Sequence, residues 1–269
     1  MPAPPVELKQ RDTPMSKSDL PVRRANNIRR ILVAMIDGFE ICPRRMHHLD
    51  SVSLALFARM AELHESICLL ASKGRRRDAV ILGRTLCEAA ITLYWLTNDQ
   101  QSDQRVNRYV KFGGQVILEN IVRVEKHFGY KHLPRDKAEI ELLREAKILF
   151  REHRSRWNDV AIARMAAEAD TYNKDKEGKA PNIEAQYEIF YFWFSLLAHP
   201  CIEAIQNFLP RWGMPFKCSR SKLYESIPEQ DVVFLSTCWL YSIALRIQTV
   251  LKLRREDELR KVWAKIKAK

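Results

Sequence analysis

The feature that most constrains the fold is an apolar segment at residues 79–96, within the stretch KGRRRDAVILGRTLCEAAITLYWLTND. Almost every position in this segment is apolar, and it lacks the polar stripe that faces solvent on a surface helix. The segment therefore predicts a central helix that other helices cover on most sides. Arg84 and Glu88 lie within it, one turn apart on the same face. Because an unpaired buried ion costs several kcal/mol, we expect both charged side chains to have partners.

Composition and periodicity together predict an all-α fold. Only eight of the 269 residues are Gly, and the chain is rich in residues that favour helices. Apolar residues recur at three- and four-residue steps, which predicts an irregular bundle of about seven helices around the buried central helix. Residues 1–18 combine Pro with mixed charges and are predicted to be disordered. Residues 19–269 are predicted to form one helical domain with a basic C-terminal helix.

Local signals predict several helix boundaries. Gly74 is placed to cap the second helix at its C-terminus. The pair Gly113 and Gly114, inside a later helix, predicts a kink or a close helix crossing. The apolar periodicity predicts one long helix over residues 134–170, followed by an exposed loop at residues 171–182.

Charge is the clearest global signal in the chain. The formal net charge is +12, which favours polyanionic partners such as RNA or an anionic membrane surface. A solvated basic surface without such a partner has the same composition, so both interpretations stay open.

Cysteine usage and the N-terminal residues favour the cytoplasm. The six Cys residues are scattered without a C-x-x-C pair or a His at zinc spacing, so we expect reduced thiols, no metal and no cofactor. The N-terminus lacks the apolar run of a secretory signal. Arg84 and Glu88 would be expensive inside a lipid bilayer. We therefore predict a soluble, cytoplasmic protein.

Four arginines in the first predicted helix are candidate phosphate contacts. Arg23, Arg24, Arg29 and Arg30 lie opposite an apolar stripe on that helix. The solvent side of any amphipathic helix has the same pattern, so these residues also fit a purely structural role. Arg108, in a later helix, is a further candidate binding residue.

The last helix is predicted to start near Gln230 and to continue into a basic tail. From Lys252 onward the tail holds eight basic residues, and its apolar face consists of Leu259, Val262, Trp263 and Ile266. This pattern is typical of an arm that binds RNA or an anionic membrane. Such a tail also packs its Trp against the body of the protein or a second subunit, and we favour packing over an arm that binds RNA or a membrane.

A row of polar side chains is the main candidate for a site. Its members fall at successive four-residue steps and are predicted to form an inclined ridge on one helix: Tyr187, Tyr191, Ser195, His199 and Glu203. Pro200 is expected to kink this helix beside His199. If the ridge packs against the central helix, His199 converges with Arg84 and Glu88.

That convergence suits metal-independent RNA cleavage. The imidazole of His199 would move protons, Arg84 would stabilise the phosphate and Glu88 would position Arg84, with Tyr191 and Ser195 as binding residues. The competing interpretation is structural. A His beside a Pro kink satisfies a backbone group, and a buried Arg and Glu pair with each other.

Several short motifs occur in a fixed order. They are RTLCE with Arg84 and Glu88, the run Tyr94, Trp95 and Leu96, the pair Arg108 and Tyr109, and SLLAHP at residues 195–200. In this order the chain resembles a bacterial all-helical family that is catalogued as a domain of unknown function, over residues 50–209. The family has no assigned activity, so the resemblance implies the fold and a bacterial origin and no reaction.

Arg59 and His64 have the R-x4-H spacing of the prokaryotic helical nucleotide-binding (HEPN-like) ribonucleases, and in this respect the chain resembles them. Met60 follows Arg59 where that family prefers a polar residue. The resemblance implies a ribonuclease of a toxin or antiphage system.

These observations predict a nucleic-acid-directed protein, a ribonuclease-like effector of a bacterial toxin or antiphage defence system, with RNA as its partner. The alternative is a non-enzymatic interaction or regulatory protein, acting as a homodimer, in which the buried polar residues set the register of the helices. Phosphate-binding loops, dinucleotide fingerprints, nucleophile elbows and H-E-x-x-H zinc motifs do not occur in the sequence.

Overall fold

The computed structural model describes residues 19–37, 48–98, 102–131, 134, 136–150, 160–177, 182–191, 194–195 and 229–267. Every regular element within these ranges is helical, which confirms the all-α prediction. The described residues form nine α-helices and one π turn: α1 (Asp19–Asp37), α2 (His48–Ser72), α3 (Arg76–Leu96), α4 (Ser102–Phe128), α5 (Lys137–Leu149), α6 (Ile162–Glu177), α7 (Ile183–Gln186), the π turn (Tyr187–Tyr191), α8 (Glu229–Leu251) and α9 (Glu256–Lys267). The segment predicted to be disordered, residues 1–18, lies outside the described ranges.

Helix α3 is the central element, as its apolar sequence predicts. It contacts α2, α4, α6, α8 and the π turn. All residues from Ala90 to Asn98 are buried, so the C-terminal half of α3 is enclosed by its neighbours. Its N-terminal half is open on one side, where Thr85 and Glu88 are exposed and Arg84 is half-buried.

The helices are arranged in successive layers around α3. Helices α1 and α9 contact each other and both contact α8, and α1 also contacts α2. Helices α2 and α8 contact α3, whose other neighbours α6 and the π turn pack together. One cluster of buried apolar side chains runs through these layers, from Leu32 in α1 to Leu93 in α3 and Leu259 in α9. Helices α1 and α9 are therefore separated from the π turn by the α2, α8 and α3 layers.

Two glycines behave as their positions predict. Gly74 follows α2 with a φ of 66°, the N–H of Gly74 donates to Ala71 O at 2.9 Å, and the N–H of Arg75 donates to Leu70 O at 2.8 Å. This pair of bonds is the Schellman arrangement that ends a helix. Gly114 lies at a close helix crossing, because a Cβ there would lie 3.0 Å from Leu142 Cγ and 3.2 Å from the Leu142 carbonyl oxygen.

The prediction of one long helix over residues 134–170 is wrong. Helix α5 ends at Leu149, and α6 begins only at Ile162. Phe150 turns inward at this break, is 1% exposed, and meets the ring of Phe112 edge-on with centroids 5.5 Å apart. Because α5 packs on α4 whereas α6 packs on α3, one straight helix cannot make both sets of contacts.

Two further boundaries differ from prediction. The loop predicted at residues 171–182 is helical through Glu177, because the first helix breakers in that segment, Gly178 and Pro181, come later. The last helix does not continue unbroken into the tail. Lys252 and Arg254 adopt left-handed φ values of 54° and 55°, which separate α8 from α9.

Two helices in the described part of the chain are long and apolar enough to cross a membrane, Arg76–Leu96 and Asp231–Leu251. Of their most apolar windows, 67% and 56% are buried inside the protein. Core helices of soluble proteins pass the same test, so this is weak evidence for a membrane, and the cytoplasmic location stays a prediction.

Candidate functional site

The predicted polar ridge begins in the π turn that continues α7. The rings of Tyr187 and Tyr191 stack with centroids 4.8 Å apart and planes 23° apart. Ser195 Oγ donates to the carbonyl of Tyr191 at 2.7 Å. The first three members of the ridge therefore lie together, and single π turns within helices occur frequently at functional sites. His199 and Glu203 lie outside the described residues.

Arg84 joins this ridge to the central helix. Its Nη2 donates to Tyr191 Oη at 3.1 Å, and its guanidinium carbon lies 5.1 Å from the centroid of the same ring. Beside Arg84, Gly83 lets Phe194 approach α3, since a Cβ there would lie 3.1 Å from the Phe194 ring. The ridge thus packs against α3 as the sequence predicts. Arg84 Nε is buried and has no hydrogen-bond partner.

The predicted buried pair of Arg84 and Glu88 is wrong. Glu88 is exposed, and among the described residues it forms no ion pair with Arg84. The two residues share one face of α3, but that face lies at the open rim of the N-terminal half. A carboxylate at the rim keeps its hydration and avoids the cost of burial.

Two titratable side chains near Arg84, Tyr187 and Cys87, are held in their neutral forms. Burial raises the pKa of Tyr187, and the neighbouring Tyr191 adds to the rise. Burial also raises the pKa of the Cys87 thiol, and the Glu88 carboxylate adds to that rise. Phenols and thiols with raised pKa values donate hydrogen bonds and are poor nucleophiles at neutral pH.

We call Arg84, Glu88, Tyr187, Tyr191 and Ser195 the tyrosine–arginine cluster. It offers a fixed guanidinium, two stacked rings and three hydroxyl groups, which are suited to an anionic group beside a flat ring system. The predicted catalytic residue His199 lies outside the described residues.

The R-x4-H pair does not form one site within this chain. Positions five apart on a helix point about 140° away from each other. Arg59 is exposed and pairs with Glu62 at 3.2 Å, whereas His64 is fully buried and its Nε2 lies 2.9 Å from Thr237 Oγ1. Burial, with a smaller contribution from Arg29, lowers the pKa of His64 to about 3, so the imidazole is neutral.

The four arginines of α1 do not form a single surface. Arg23 and Arg30 are exposed, Arg24 donates to the carbonyl of Lys265, and Arg29 pairs with Glu65 at 3.0 Å. The helical repeat explains this division, because Arg24 and Arg29 flank the buried stripe and reach the neighbouring helices. Arg23 and Arg30 are the two that face solvent.

The basic tail packs against the body, which confirms the packing prediction. Leu259, Val262 and Ile266 are buried, and Trp263 stacks on Tyr241 with centroids 4.9 Å apart. The bond from Arg24 to the Lys265 carbonyl places α9 beside α1. The exposed basic residues of these two neighbouring helices include Arg23, Arg30, Lys261 and Lys265, which we call the basic face.

Arg108 lies apart from both groups. Its guanidinium carbon lies 5.5 Å from the ring centroid of Phe150, at the junction of α4 and α5. The structure therefore brings Arg84, Tyr191 and Ser195 together, and it places Arg108 and the α1 arginines elsewhere.

A polar network around Glu168 was not anticipated from the sequence. Glu168 accepts hydrogen bonds from Trp95 Nε1 at 2.7 Å and Arg164 Nε at 2.9 Å, and it pairs with Arg105 at 3.6 Å. Arg105 also lies 4.0 Å over the Trp95 ring and donates to the Trp95 carbonyl at 2.9 Å. Trp95 and Glu168 are 73 residues apart, so no local spacing signals their contact. The network joins α3, α4 and α6.

Within the described ranges, no group of three His, Cys, Asp or Glu side chains is placed to hold a metal ion.

Comparison with protein families identifies a match over more than half of the chain. Residues 50–212 match the model of DUF5677, which is described as a family of unknown function. The chain belongs to this family. The match confirms the resemblance to a domain of unknown function. No curated protein matches the chain significantly, and no solved structure does.

One group of candidate residues lies inside the DUF5677 region, and the other lies outside it. It contains the tyrosine–arginine cluster and the Glu168 network, which lie on α3, α4, α6 and the π turn. The basic face lies on α1 and α9, outside the matched residues. The two groups therefore differ both in position on the bundle and in their relation to the family.

Proposed function

We propose that this protein is a nucleic-acid-directed protein that binds RNA through the basic face. The observation that carries the proposal is the side-by-side packing of α1 and α9, joined by the bond from Arg24 to the Lys265 carbonyl. Two segments far apart in the sequence thus present their exposed cations on adjacent helices. A net charge of +12 strengthens the attraction of a polyanion at long range.

The basic face would bind the phosphate backbone without reading bases. Arg23, Arg30, Lys261 and Lys265 are exposed and free to contact phosphates, and each contact releases condensed counterions. Arg24 and Arg29 do not belong to this surface. The guanidinium of Arg24 donates to the Lys265 carbonyl in α9, and that of Arg29 pairs with Glu65. Binding of this kind is strongly salt-dependent and weakly sequence-dependent.

Binding of labelled RNA measured across a salt series tests this proposal. A variant with all four basic-face residues changed to Gln is expected to bind at least about tenfold more weakly, with a salt slope reduced by up to about 3. The matched control changes four exposed basic residues of α4 and α5 to Gln: Arg123, Lys126, Arg144 and Lys147. Both variants lose the same formal charge. Equal losses in the two variants, or no binding by the wild type, would contradict the basic face.

The finer proposal is a ribonuclease-like activity at the tyrosine–arginine cluster, in a toxin or antiphage defence system. Arg84 would bind the scissile phosphate, for which its fixed position against Tyr191 is favourable. His199 would transfer protons, and the reaction would need no metal ion. Glu88 is exposed at the rim, so its proposed role in positioning Arg84 requires movement of a side chain.

Cleavage of labelled total RNA in the presence of EDTA tests this activity. We expect cleavage by the wild type, and a loss of at least about 100-fold in both Arg84→Gln and His199→Gln. Circular dichroism and melting first establish that each variant is folded. The control is Arg59→Gln, which changes an exposed arginine of α2. Cleavage that persists in Arg84→Gln and His199→Gln assigns the activity elsewhere, and no cleavage by the wild type removes the proposal.

One observation favours the alternative, a non-enzymatic interaction protein. Arg84 already donates to Tyr191 and stacks over its ring, which is what a residue that sets the register of the π turn on α3 does. In that case Arg84→Gln lowers the melting temperature and leaves every RNA-dependent property unchanged.

A further inference from the structure

Helices α4 and α5 form a hairpin whose outer side carries an unusual surface. The first half of α4 joins the core, where Val106 is fully buried. The middle of α4 packs on α5 at Gly114, and the opposite side of α4 faces away from α5. Every residue from Val122 to Lys131 is exposed. A helix this exposed needs either a polar surface or a partner.

That opposite side carries no formal charge along about 21 Å of helix. Its exposed members recur at three- and four-residue steps: Gly113, Val116, Ile117, Asn120, Val124 and His127. We call this set the α4 outer stripe. Val116, Ile117 and Val124 are 42%, 39% and 41% exposed, so three branched apolar side chains line up in water. An uncharged apolar stripe in a chain of charge +12 fits another helix better than a polyanion.

We propose that the α4 outer stripe binds the same stripe of a second copy of this chain, antiparallel, about a two-fold axis at Asn120. The stripe is nearly symmetric about that residue. Val116 and Val124 lie four positions before and after Asn120, and Gly113 and His127 lie seven positions before and after it. An antiparallel pair therefore places Val116 against Val124 of the second copy. Gly113, whose Cβ position has nothing within 4 Å, leaves room for the imidazole of His127.

Asn120 supplies the register of this pairing. On the two-fold axis its carboxamide faces the identical group, and two carboxamides satisfy each other with hydrogen bonds. A single Asn in an otherwise apolar helix interface fixes register in this way. A two-fold interface uses one surface of each copy against itself, which is the commonest form of protein association.

Charges beside the stripe are complementary in the same arrangement. Glu119 and Arg123 lie on one flank and pair within their own helix at 3.3 Å. The two-fold axis places this flank of both helices on the same side of the pair, so the charges of the two copies are neighbours. Arg123 of one copy then lies about 3 Å along the axis from Glu119 of the other. The flank thus presents alternating opposite charges to its own copy, which favours a second copy over an unrelated partner.

Analytical ultracentrifugation over a micromolar dilution series tests the pairing. The wild type is expected to sediment as a dimer of the 31.5 kDa chain. Val116→Glu and Val124→Glu each place two carboxylates in the interface and are expected to raise the dissociation constant by about 100-fold or more. The control is Val122→Glu, because Val122 is 59% exposed on the other side of the same helix. A monomeric wild type, or equal effects of all three variants, overturns the proposal.

A cross-linking experiment tests the axis directly and does not depend on destabilising the interface. Asn120→Cys is expected to form a disulfide between copies under mild oxidation, whereas Val122→Cys, at the matched exposed position, is not. The wild type corrects for the native cysteines. If Asn120→Cys and Val122→Cys cross-link equally, the two copies do not meet at Asn120 and the proposal fails.

Discussion

Between pH 6.5 and pH 3 the folded protein is expected to lose up to about 5 kcal/mol of stability through His64 alone. Burial, with a smaller contribution from the nearby Arg29, lowers the pKa of His64 from an ordinary value of 6.5 to about 3. In this window the unfolded chain binds a proton at His64 and the folded chain does not. The stability that the neutral His64 contributes is therefore fully present above pH 6.5 and is lost as the pH falls towards 3.

The hydrogen bonds around His64 explain why its neutral form is favoured. The hydroxyl of Thr237 donates to the carbonyl of Val233 at 2.7 Å, so Thr237 Oγ1 is left to accept the N–H of His64 Nε2 at 2.9 Å. His64 Nδ1 then carries no proton and lies 3.8 Å from Cys68 Sγ, which is a weak donor. A second proton on the imidazole, at Nδ1, would leave Cys68 without this acceptor and would place a cation in the core.

Urea unfolding at pH 7 and pH 4 measures this effect. His64→Gln keeps a polar side chain beside Thr237 but cannot titrate, so the stability gap between wild type and variant is expected to change by about 3 kcal/mol between the two pH values. The other titrating groups are common to both proteins and cancel. Thr237→Val is the matched control, because it removes the hydroxyl and leaves the imidazole. Thr237→Val is expected to lower stability at both pH values and still to lose stability between pH 7 and pH 4. Parallel plots of stability against pH for wild type and His64→Gln would refute the prediction.

Much of the fold follows from local sequence signals. The apolar run at residues 79–96 predicts α3, and Gly74 predicts the end of α2, because burial and backbone conformation act on neighbouring residues there. The break after Leu149 is different. It depends on Phe150 meeting Phe112 from another helix, and helical periodicity contains no information on that contact. The break at Lys252 is equally hidden, since left-handed φ at a Lys has no local signal.

In the candidate site, too, local spacing predicts some features and tertiary contacts determine the others. The four-residue spacing of Tyr187, Tyr191 and Ser195 predicts their alignment, and an arginine on the central helix is a natural partner for them. The exposure of Glu88 was mispredicted, because an apolar sequence indicates that a helix is buried without indicating where its covering helices stop. The contact of Trp95 with Glu168 depends on tertiary structure alone.

The Glu168 network is expected to contribute about 3 kcal/mol to stability. In Glu168→Ala, the Trp95 N–H loses its bond to the Glu168 carboxylate, and Arg105, whose side chain is 15% exposed, loses its ion pair with the same carboxylate. Removing the carboxylate from a largely buried hydrogen bond and ion pair costs more than the net strength of those bonds. For a chain of this size the melting temperature is expected to fall by about 6–12 °C. Glu168→Gln keeps an acceptor for Trp95 and is expected to lose only about 1 kcal/mol.

Chemical denaturation at low and high salt separates the buried part of this network from its surface part. Arg164 is 73% exposed, so its pairing with Glu168 is screened by salt, whereas Arg105 over the Trp95 ring is shielded from it. Most of the loss in Glu168→Ala is therefore expected to persist in 1 M salt, where the Debye length is about 3 Å. The control is Glu188→Ala, an exposed glutamate of the π turn, which is expected to change stability by less than about 0.5 kcal/mol. A loss in Glu168→Ala no larger than in this control, or one that disappears in high salt, would mean that the network is a surface ion pair and does not hold α6 against α3.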